Sequence, residues 1–160
     1  MKNIYFLLIA FFLLISCAEY DVVIRDGMVY DGTGAKPYTG DVAIKNDKIV
    51  KISESIDGAG REEIDASGLA VSPGFINMLS WATTSLIKDG RSLSDIKQGV
   101  TLEVFGEGWS MGPLNEKMKQ EEQKGAEGFQ IDWNTLGEYL ESLEKRGVST
   151  NVASFLGATT

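Results

Sequence analysis

Residues 73–81 read PGFINMLSW, and this stretch separates two patterns of sequence. Before it, short β-type runs alternate with turn residues, and after it apolar runs alternate with helical periodicity. The segment from Phe75 to Leu79 is a compact apolar run, which is typical of a buried parallel strand. The stretch therefore predicts a boundary between a small β unit and an α/β segment.

Upstream of this boundary, residues 20–72 predict a small antiparallel β unit. Asp26-Gly27 predicts the turn of a first hairpin, because this pair tolerates the positive φ that tight turns need. Asn46-Asp47 predicts the turn of a second hairpin. Two brief strands on either side of Ser67-Gly68 complete the unit.

Downstream of the boundary, the chain predicts an α/β segment with three strands. Strands are expected at 75–79, 100–105 and 148–156, and helices at 93–98, at 115–124 and from Trp133, capped by Asp132, to Gly147. A closed (β/α)8 barrel needs eight strands and about 250 residues. Because three strands cannot close one, the chain is expected to be a truncated product or one portion of a longer protein.

The residue inventory excludes several kinds of chemistry. The 160 residues include no histidine and one cysteine, which excludes a Ser-His-Asp triad, a Cys-His nucleophile, a Cys/His zinc cluster and a disulfide within the chain. The 15 Lys and Arg residues against 23 Asp and Glu residues give a formal net charge of −8, and the basic residues do not cluster. We therefore expect no nucleic-acid partner.

The amino terminus has the features of a lipoprotein signal. Lys2 precedes an apolar run from Ile4 to Ile15, which is too short for a membrane span but suits a signal peptide. The following Ser16-Cys17 resembles the bacterial lipobox, in which the cysteine is acylated. We therefore expect residues 1–16 to be a lipoprotein signal peptide, and a lipidated Cys17 to anchor the protein in the cell envelope outside the cytoplasm. The alternative is an ordinary signal peptide followed by a buried cysteine.

Short motifs stand in a fixed order along residues 20–160. They are YDVVIRDG at 20–27, DGTG at 31–34, DVAI at 41–44, IDASG at 64–68, PGFI at 73–76, QGVT at 98–101, the loop 106–113, Trp133 with EYL at 138–140, and NVA at 151–153. Together they resemble the amidohydrolase superfamily, and in particular its N-acyl-D-amino-acid deacylase (D-aminoacylase) branch. The resemblance implies a β-sandwich beside a TIM-type barrel that carries one or two zinc ions, and hydrolysis of an amide by a metal-activated hydroxide.

The sequence departs from this family at the expected metal ligands. The resemblance implies an acidic residue and a His-x-His motif after PGFI, whereas Asn77, Leu79 and Trp81 occupy these places. It also implies a cysteine ligand in the loop after the second strand, where Glu107 is the nearest residue able to coordinate a metal. The family's Gly-His-Gly is replaced by residues 157–159, which read GAT. Glu107 is therefore a candidate metal ligand, and a solvated loop carboxylate is the alternative.

Two tryptophans are candidates for a substrate pocket. Trp81 and Trp109 follow successive predicted strands, and aromatic side chains often line ligand clefts. Asn77 and Ser110 would supply polar contacts there. The alternative is that the tryptophans pack beneath the sandwich.

Glu103 is a carboxylate inside an otherwise apolar strand. It could face a polar barrel interior, but an outward salt bridge is the favoured interpretation.

The sequence thus predicts an α/β fold in which residues 17–72 are a β-sandwich portion and residues 73–160 are the first three strands of a metal-dependent-hydrolase barrel. By resemblance, the function is that of an amino-terminal fragment of a hydrolase acting on carbon–nitrogen bonds other than peptide bonds. The expected substrate is a small N-acyl amino acid or a related amide. Zinc is expected only in the full-length protein, and the 160-residue segment alone is expected to be inactive.

Two other interpretations remain open. The first is a non-catalytic envelope lipoprotein that binds a ligand or partner on a degenerate amidohydrolase fold, because Leu79 and Trp81 replace the metal-binding histidines. The second is a truncated remnant without a function.

Overall fold

A computed structural model describes residues 18–160 of the chain. The predicted signal peptide and Cys17 lie outside the described residues. The structure divides into two compact units, of which the first ends at Pro73 and the second runs from Gly74 to Thr160. Within the described part, none of the helices has the length and apolar character needed to cross a membrane.

The first unit contains one five-stranded sheet. Its strands are β1 (Tyr20–Val29), β2 (Tyr38–Lys45), β3 (Lys48–Ser53), β4 (Gly60–Asp65) and β5 (Ala70–Val71). The order is β3-β2-β1-β4, with β5 also paired to β1. The β1–β2 and β2–β3 pairs are antiparallel, but β4 and β5 run parallel to β1. The prediction of an antiparallel unit is therefore wrong, because the chain after β3 crosses back to the far edge of β1.

The predicted hairpin turn at Asp26-Gly27 is also wrong, because these residues lie inside β1. Ile24 pairs with Val42 and Gly27 pairs with Gly40, so that Arg25 and Asp26 together oppose the single residue Asp41. This is a β-bulge, in which Asp26 has a φ of 56°. The positive φ inferred from the sequence is present, but it bends a strand instead of reversing the chain.

The second predicted hairpin is confirmed. Strands β2 and β3 are joined by Asn46 and Asp47, whose φ angles are 50° and 58°. Positive φ at both central residues is the conformation of the two-residue turn that best matches strand twist.

The second unit is built on a parallel sheet in the order β6-β7-β8. The strands are β6 (Phe75–Asn77), β7 (Val100–Phe105) and β8 (Asn151–Ser154), and the helices are α1 (Ser85–Lys88), α2 (Leu93–Ile96), α3 (Glu116–Gly125) and α4 (Leu136–Arg146). Both strand pairs are parallel. The three predicted strands and the helices near 93–98 and 115–124 are confirmed, whereas α1 was not predicted.

Helix α4 begins three residues later than predicted. Thr135 is its N-cap, and the Thr135 hydroxyl and the Glu138 carboxylate form a capping box. Asp132 therefore does not cap the helix. Trp133 precedes it and packs in the core, where its indole N–H donates to the carbonyl oxygen of Met111 at 2.7 Å.

The core of the second unit lies between the sheet and the helices. Its buried residues are Leu86, Phe105, Met111, Leu114, Ile131, Trp133, Tyr139 and Leu143. Strand β6, by contrast, is exposed: the side chain of Phe75 is 60% accessible, and Ile76 and Met78 are similarly open. The expectation that this run is buried is wrong for the described residues, because β6 is an edge strand of the sheet they form.

Candidate functional site

The predicted site residues lie at the carboxyl ends of β6 and β7. Because these strands are parallel, the loops that follow them leave the sheet at the same edge, which is where α/β folds place ligands. A small pocket of about 40 Å³ lies between the two loops. It is lined by Leu79, Ser80, Trp81 and Thr83 from the first loop and by Gly106, Glu107, Gly108 and Trp109 from the second.

The structure thus brings together three residues that the sequence singled out, namely Trp81, Trp109 and Glu107. Their roles in binding stay predictions. Ser110 does not line the pocket, contrary to expectation, because its buried hydroxyl donates to the Gly112 carbonyl oxygen at 2.6 Å. Asn77 is also outside the pocket lining, and its side-chain oxygen accepts a hydrogen bond from the backbone of Leu79.

The first loop is fixed by Ser80. Its backbone N–H donates to the carbonyl oxygen of Val104 at 3.0 Å, and its hydroxyl donates to the Glu103 carboxylate at 2.6 Å. The same hydroxyl accepts the backbone N–H of Ala82 at 3.2 Å. These contacts hold the segment that carries Leu79 and Trp81 against β7.

Glu103 is completely buried, with an exposed fraction of 0%. It accepts hydrogen bonds from three hydroxyl groups: Ser80 at 2.6 Å, Ser92 at 2.9 Å and Thr150 at 3.0 Å. The predicted outward salt bridge is therefore wrong. The partners come from three distant parts of the chain, so no local sequence pattern could have indicated them.

Tyr139 supports the same loop from helix α4. Its phenol donates to the carbonyl oxygen of Thr83 at 2.9 Å. Burial, together with the negative charge of Glu103, raises the pKa of Tyr139 well above its ordinary value. The phenol therefore stays protonated and remains a donor to the pocket wall.

The second loop is held by the last residues of the chain. The Ser110 hydroxyl accepts the N–H of Gly157 at 3.0 Å, and the Thr159 N–H donates to the Gly108 carbonyl oxygen at 3.1 Å. Gly106 has a φ of 81°, and a Cβ there would collide with the backbone of Phe155. Only glycine is therefore suited to the start of this loop.

The described residues do not form a zinc site by themselves. Within residues 18–160, no three Asp, Glu, Cys or His side chains come together. Leu79 and Trp81, which stand where the resemblance implies histidines, line the pocket but have no lone pair for a metal. Glu107 is the one lining residue with a carboxylate, and a single carboxylate is too few ligands for zinc, which takes at least three from the protein.

Comparison with curated proteins identifies relatives of this chain, although no family profile matches it. The chain is 28% identical over 143 residues to the D-aminoacylase of Alcaligenes xylosoxydans xylosoxydans, covering 88% of this chain and 30% of that protein. It is 29% identical over 145 residues to the N-acyl-D-aspartate deacylase of the same organism, covering 89% of this chain and 29% of that protein.

Solved structures give the same result. An N-acyl-D-glutamate deacylase from Bordetella bronchiseptica, crystallised with zinc and a phosphonate inhibitor, aligns with a TM-score of 0.75 at 26% identity, over 86% of this chain and 29% of that one. A D-aminoacylase variant in complex with CuCl2 aligns with a TM-score of 0.73 at 30% identity, over 86% of this chain and 30% of that one. The chain thus spans under a third of the length of these relatives.

Proposed function

We propose that this chain, which is homologous over most of its length to the N-acyl-D-amino-acid deacylases of the amidohydrolase superfamily, is the amino-terminal portion of such a deacylase. The resemblance inferred from the sequence motifs is confirmed, because the relatives cover 86–89% of the chain in sequence and in structure. That agreement is the observation that carries the proposal. The reaction proposed for the whole protein is hydrolysis of the amide carbon–nitrogen bond of a small N-acyl amino acid.

The second unit supports a role as the first three strands of a barrel. Its strands lie side by side in chain order and are parallel, as in the strand–helix repeats of TIM barrels. Parallel sheets are normally covered on both faces. Here Phe75 and Ile76 on β6, and Phe155 and Leu156 after β8, are at least half exposed. In the proposed whole protein, further strands pair with β6 and β8 and cover these side chains.

The metal of such an enzyme has to be held mainly by residues outside this segment. Two of the structural relatives are described with zinc or copper, so we propose zinc for the full-length protein. Glu107 is the one pocket residue here that could contribute a ligand, from the carboxyl end of β7. The segment otherwise supplies pocket walls, which are fixed by Ser80 and Tyr139.

We also propose that the protein is anchored in the cell envelope through Cys17. The support is the sequence before it, with Lys2, the apolar run from Ile4 to Ile15 and the small residue Ser16. Metabolic labelling with a radioactive fatty acid should mark the wild-type protein and leave the Cys17→Ser variant unlabelled. Equal labelling of both proteins would contradict the anchor.

The catalytic proposal is tested on the full-length protein purified with zinc. We expect hydrolysis of N-acetyl-D-amino acids, weaker hydrolysis of their L enantiomers, and loss of turnover after treatment with a chelator. Residues 18–160 produced alone should show no turnover. A full-length protein that contains stoichiometric zinc but hydrolyses none of these amides would overturn the proposal, and binding without turnover would favour a non-catalytic role.

A further inference from the structure

Glu103 is a fully buried carboxylate to which the proposed reaction assigns no role. Its exposed fraction is 0%, and no lysine or arginine of residues 18–160 forms an ion pair with it. Burial of a charge without a cation is unfavourable, and an apolar side chain of similar volume would avoid that cost. A carboxylate at this position therefore indicates a role beyond packing.

The two oxygen atoms of this carboxylate have different partners. Oε1 accepts the hydroxyls of Ser92 at 2.9 Å and Thr150 at 3.0 Å, which directly precede α2 and β8. Oε2 accepts the hydroxyl of Ser80 at 2.6 Å, in the loop after β6, a distance typical of a charge-assisted hydrogen bond. One oxygen thus fixes the carboxylate to its surroundings, and the other holds the loop.

The backbone of Ser92 is adapted to this contact. Ser92 occupies the N-cap position of α2 with a φ of 43° and a ψ of 45°, in the left-handed region that residues other than glycine rarely adopt. Its hydroxyl makes no capping hydrogen bond to α2 and donates to Glu103 instead. Strained backbone of this kind is concentrated at functional sites.

The loop that Oε2 holds forms one wall of the pocket, with the lining residues Leu79, Ser80, Trp81 and Thr83. Glu103 is not in the lining, and it shares a face of β7 with the core residue Phe105. It therefore acts on the wall from behind, through Ser80. The loop is attached at a second point, where the Tyr139 phenol donates to the Thr83 carbonyl oxygen.

We propose that Glu103 is a positioning residue of the active site, whose Oε2 atom holds the loop 79–83, through Ser80, in the conformation that receives the substrate. This inference rests on the deacylase function proposed above. Leu79 and Trp81 on this loop have no lone pair for a metal, so the loop contributes to substrate binding and not to metal chemistry. Loss of the Glu103–Ser80 contact should therefore raise KM more than it lowers kcat.

Glu103→Gln separates the roles of the two oxygen atoms. An amide has one acceptor oxygen, and its NH2 group only donates. With the amide oxygen toward Ser92 and Thr150, the NH2 group faces Ser80, whose hydroxyl then loses its acceptor. Ser80→Ala removes the same bond from the loop side. Thr150→Val is the matched control, because it removes a donor to Oε1 and leaves the contact between Oε2 and Ser80 in place.

Amide hydrogen exchange in the full-length protein is the first test. The exchange rate of residues 79–83 is divided by that of residues 136–146 in α4, so that a general loss of stability affects both segments. We expect Glu103→Gln and Ser80→Ala to raise this ratio about three- to tenfold, and Thr150→Val to leave it unchanged. The double variant should exceed neither single variant, because both remove one bond. An unchanged ratio in Glu103→Gln, or an equal rise in Thr150→Val, would overturn the proposal.

The second test is hydrolysis of an N-acetyl-D-amino acid by the zinc-loaded full-length protein. We expect Glu103→Gln to raise KM about three- to tenfold and to change kcat less than about twofold, whereas Thr150→Val should keep the wild-type KM. A lower kcat at unchanged KM in Glu103→Gln would contradict a positioning role. Hydrogen exchange needs no turnover. A wild-type protein that hydrolyses no amide would thus contradict the deacylase function, while exchange still decides whether Glu103 holds the loop.

Discussion

In the described part of the chain, residues 18–160, each unit buries one carboxylate, and the two are stabilised in different ways. Asp41 in the first unit is 5% exposed and contacts the guanidinium of Arg25 at 3.0 Å. Glu103 in the second unit is fully buried and is surrounded by three hydroxyl groups, with no cation among its hydrogen-bond partners. The buried charge is thus stabilised by a cation together with two backbone N–H groups in the first case, and by three neutral hydroxyl groups in the second.

The Asp41 site is organised around the bulge in β1. Arg25 also donates to the Glu63 carboxylate at 2.6 Å and to the carbonyl oxygen of Gly58 at 2.8 Å. Asp41 accepts the backbone N–H groups of Asp26 and Ile56, each at 3.0 Å. One arginine therefore joins β1, β4 and the segment after β3, and its loss should affect the whole unit.

The largest expected effect is that of Arg25→Met. It leaves the Asp41 charge buried with backbone partners alone, and breaking a buried pair from one side costs about 3 kcal/mol or more. The midpoint of urea unfolding, followed by circular dichroism, measures the loss.

Arg61→Met is the matched control in the same sheet, because Arg61 contacts Asp21 at 2.9 Å but is 76% exposed. An exposed pair of this kind contributes about 0–1 kcal/mol. If the two variants lose equal stability, the Arg25–Asp41 pair is not the essential contact of the first unit.

A smaller effect is expected for Glu103→Gln. The substitution keeps the shape but weakens three hydrogen bonds from charge-assisted to neutral, while it removes the cost of burying a charge. We expect a net loss of about 1–2 kcal/mol. The change should appear in tryptophan fluorescence, because all three tryptophans lie in the second unit. A variant more stable than wild type would show that the three hydroxyls do not offset the buried charge.

Removal of one hydroxyl should cost less again. Thr150→Val takes away one of the three donors to Glu103 with little change of volume, and we expect a loss of about 1 kcal/mol. Thr101→Val, at an exposed position on β7, should change stability by less than half of that. Additive losses in Thr150→Val combined with Glu103→Gln would contradict a direct interaction between the two residues.

The last prediction concerns pH. Burial raises the pKa of Asp41, but hydrogen bonds from the Asp26 backbone, the Arg25 guanidinium and the Ile56 backbone outweigh it, so the pKa lies below its usual value of 3.8. A carboxyl with a lowered folded-state pKa contributes stability above its unfolded-state pKa and loses it as the pH falls through the folded-state value.

The stability difference between wild type and Asp41→Asn should therefore shrink as the pH is lowered from 5 toward 2. Urea unfolding at several pH values measures this difference. A constant difference over that range would show that Asp41 does not titrate with the expected shift.

Much of this architecture could be predicted from local sequence. The Asn46-Asp47 turn depends on two neighbouring residues, and the proximity of Glu107 to Trp81 follows from the common direction of parallel strands. The Thr135-x-x-Glu138 capping box is also a local pattern, and it lies three residues after Asp132, the predicted cap.

Other features could not be predicted because they depend on distant parts of the chain. Asp26-Gly27 has the same local chemistry in a bulge as in a turn, and the pairing of β1 with β2 decides between them. The donors to Glu103 are 11 to 47 residues away in sequence. No local sequence pattern indicates the environment of Glu103. None indicates the hydrogen bonds between Ser110 and the last residues of the chain either.

The open sides of the β6-β7-β8 sheet have a practical consequence for handling this chain. An unpaired strand with apolar side chains is a template for the backbone of another molecule. Phe75 and Ile76 at one edge, and Phe155 and Leu156 beyond the other, present such surfaces in the described residues. At high concentration the isolated segment is therefore expected to form intermolecular sheets. A longer chain whose additional residues cover those edges should be more soluble, so solubility measures how completely the edges are covered.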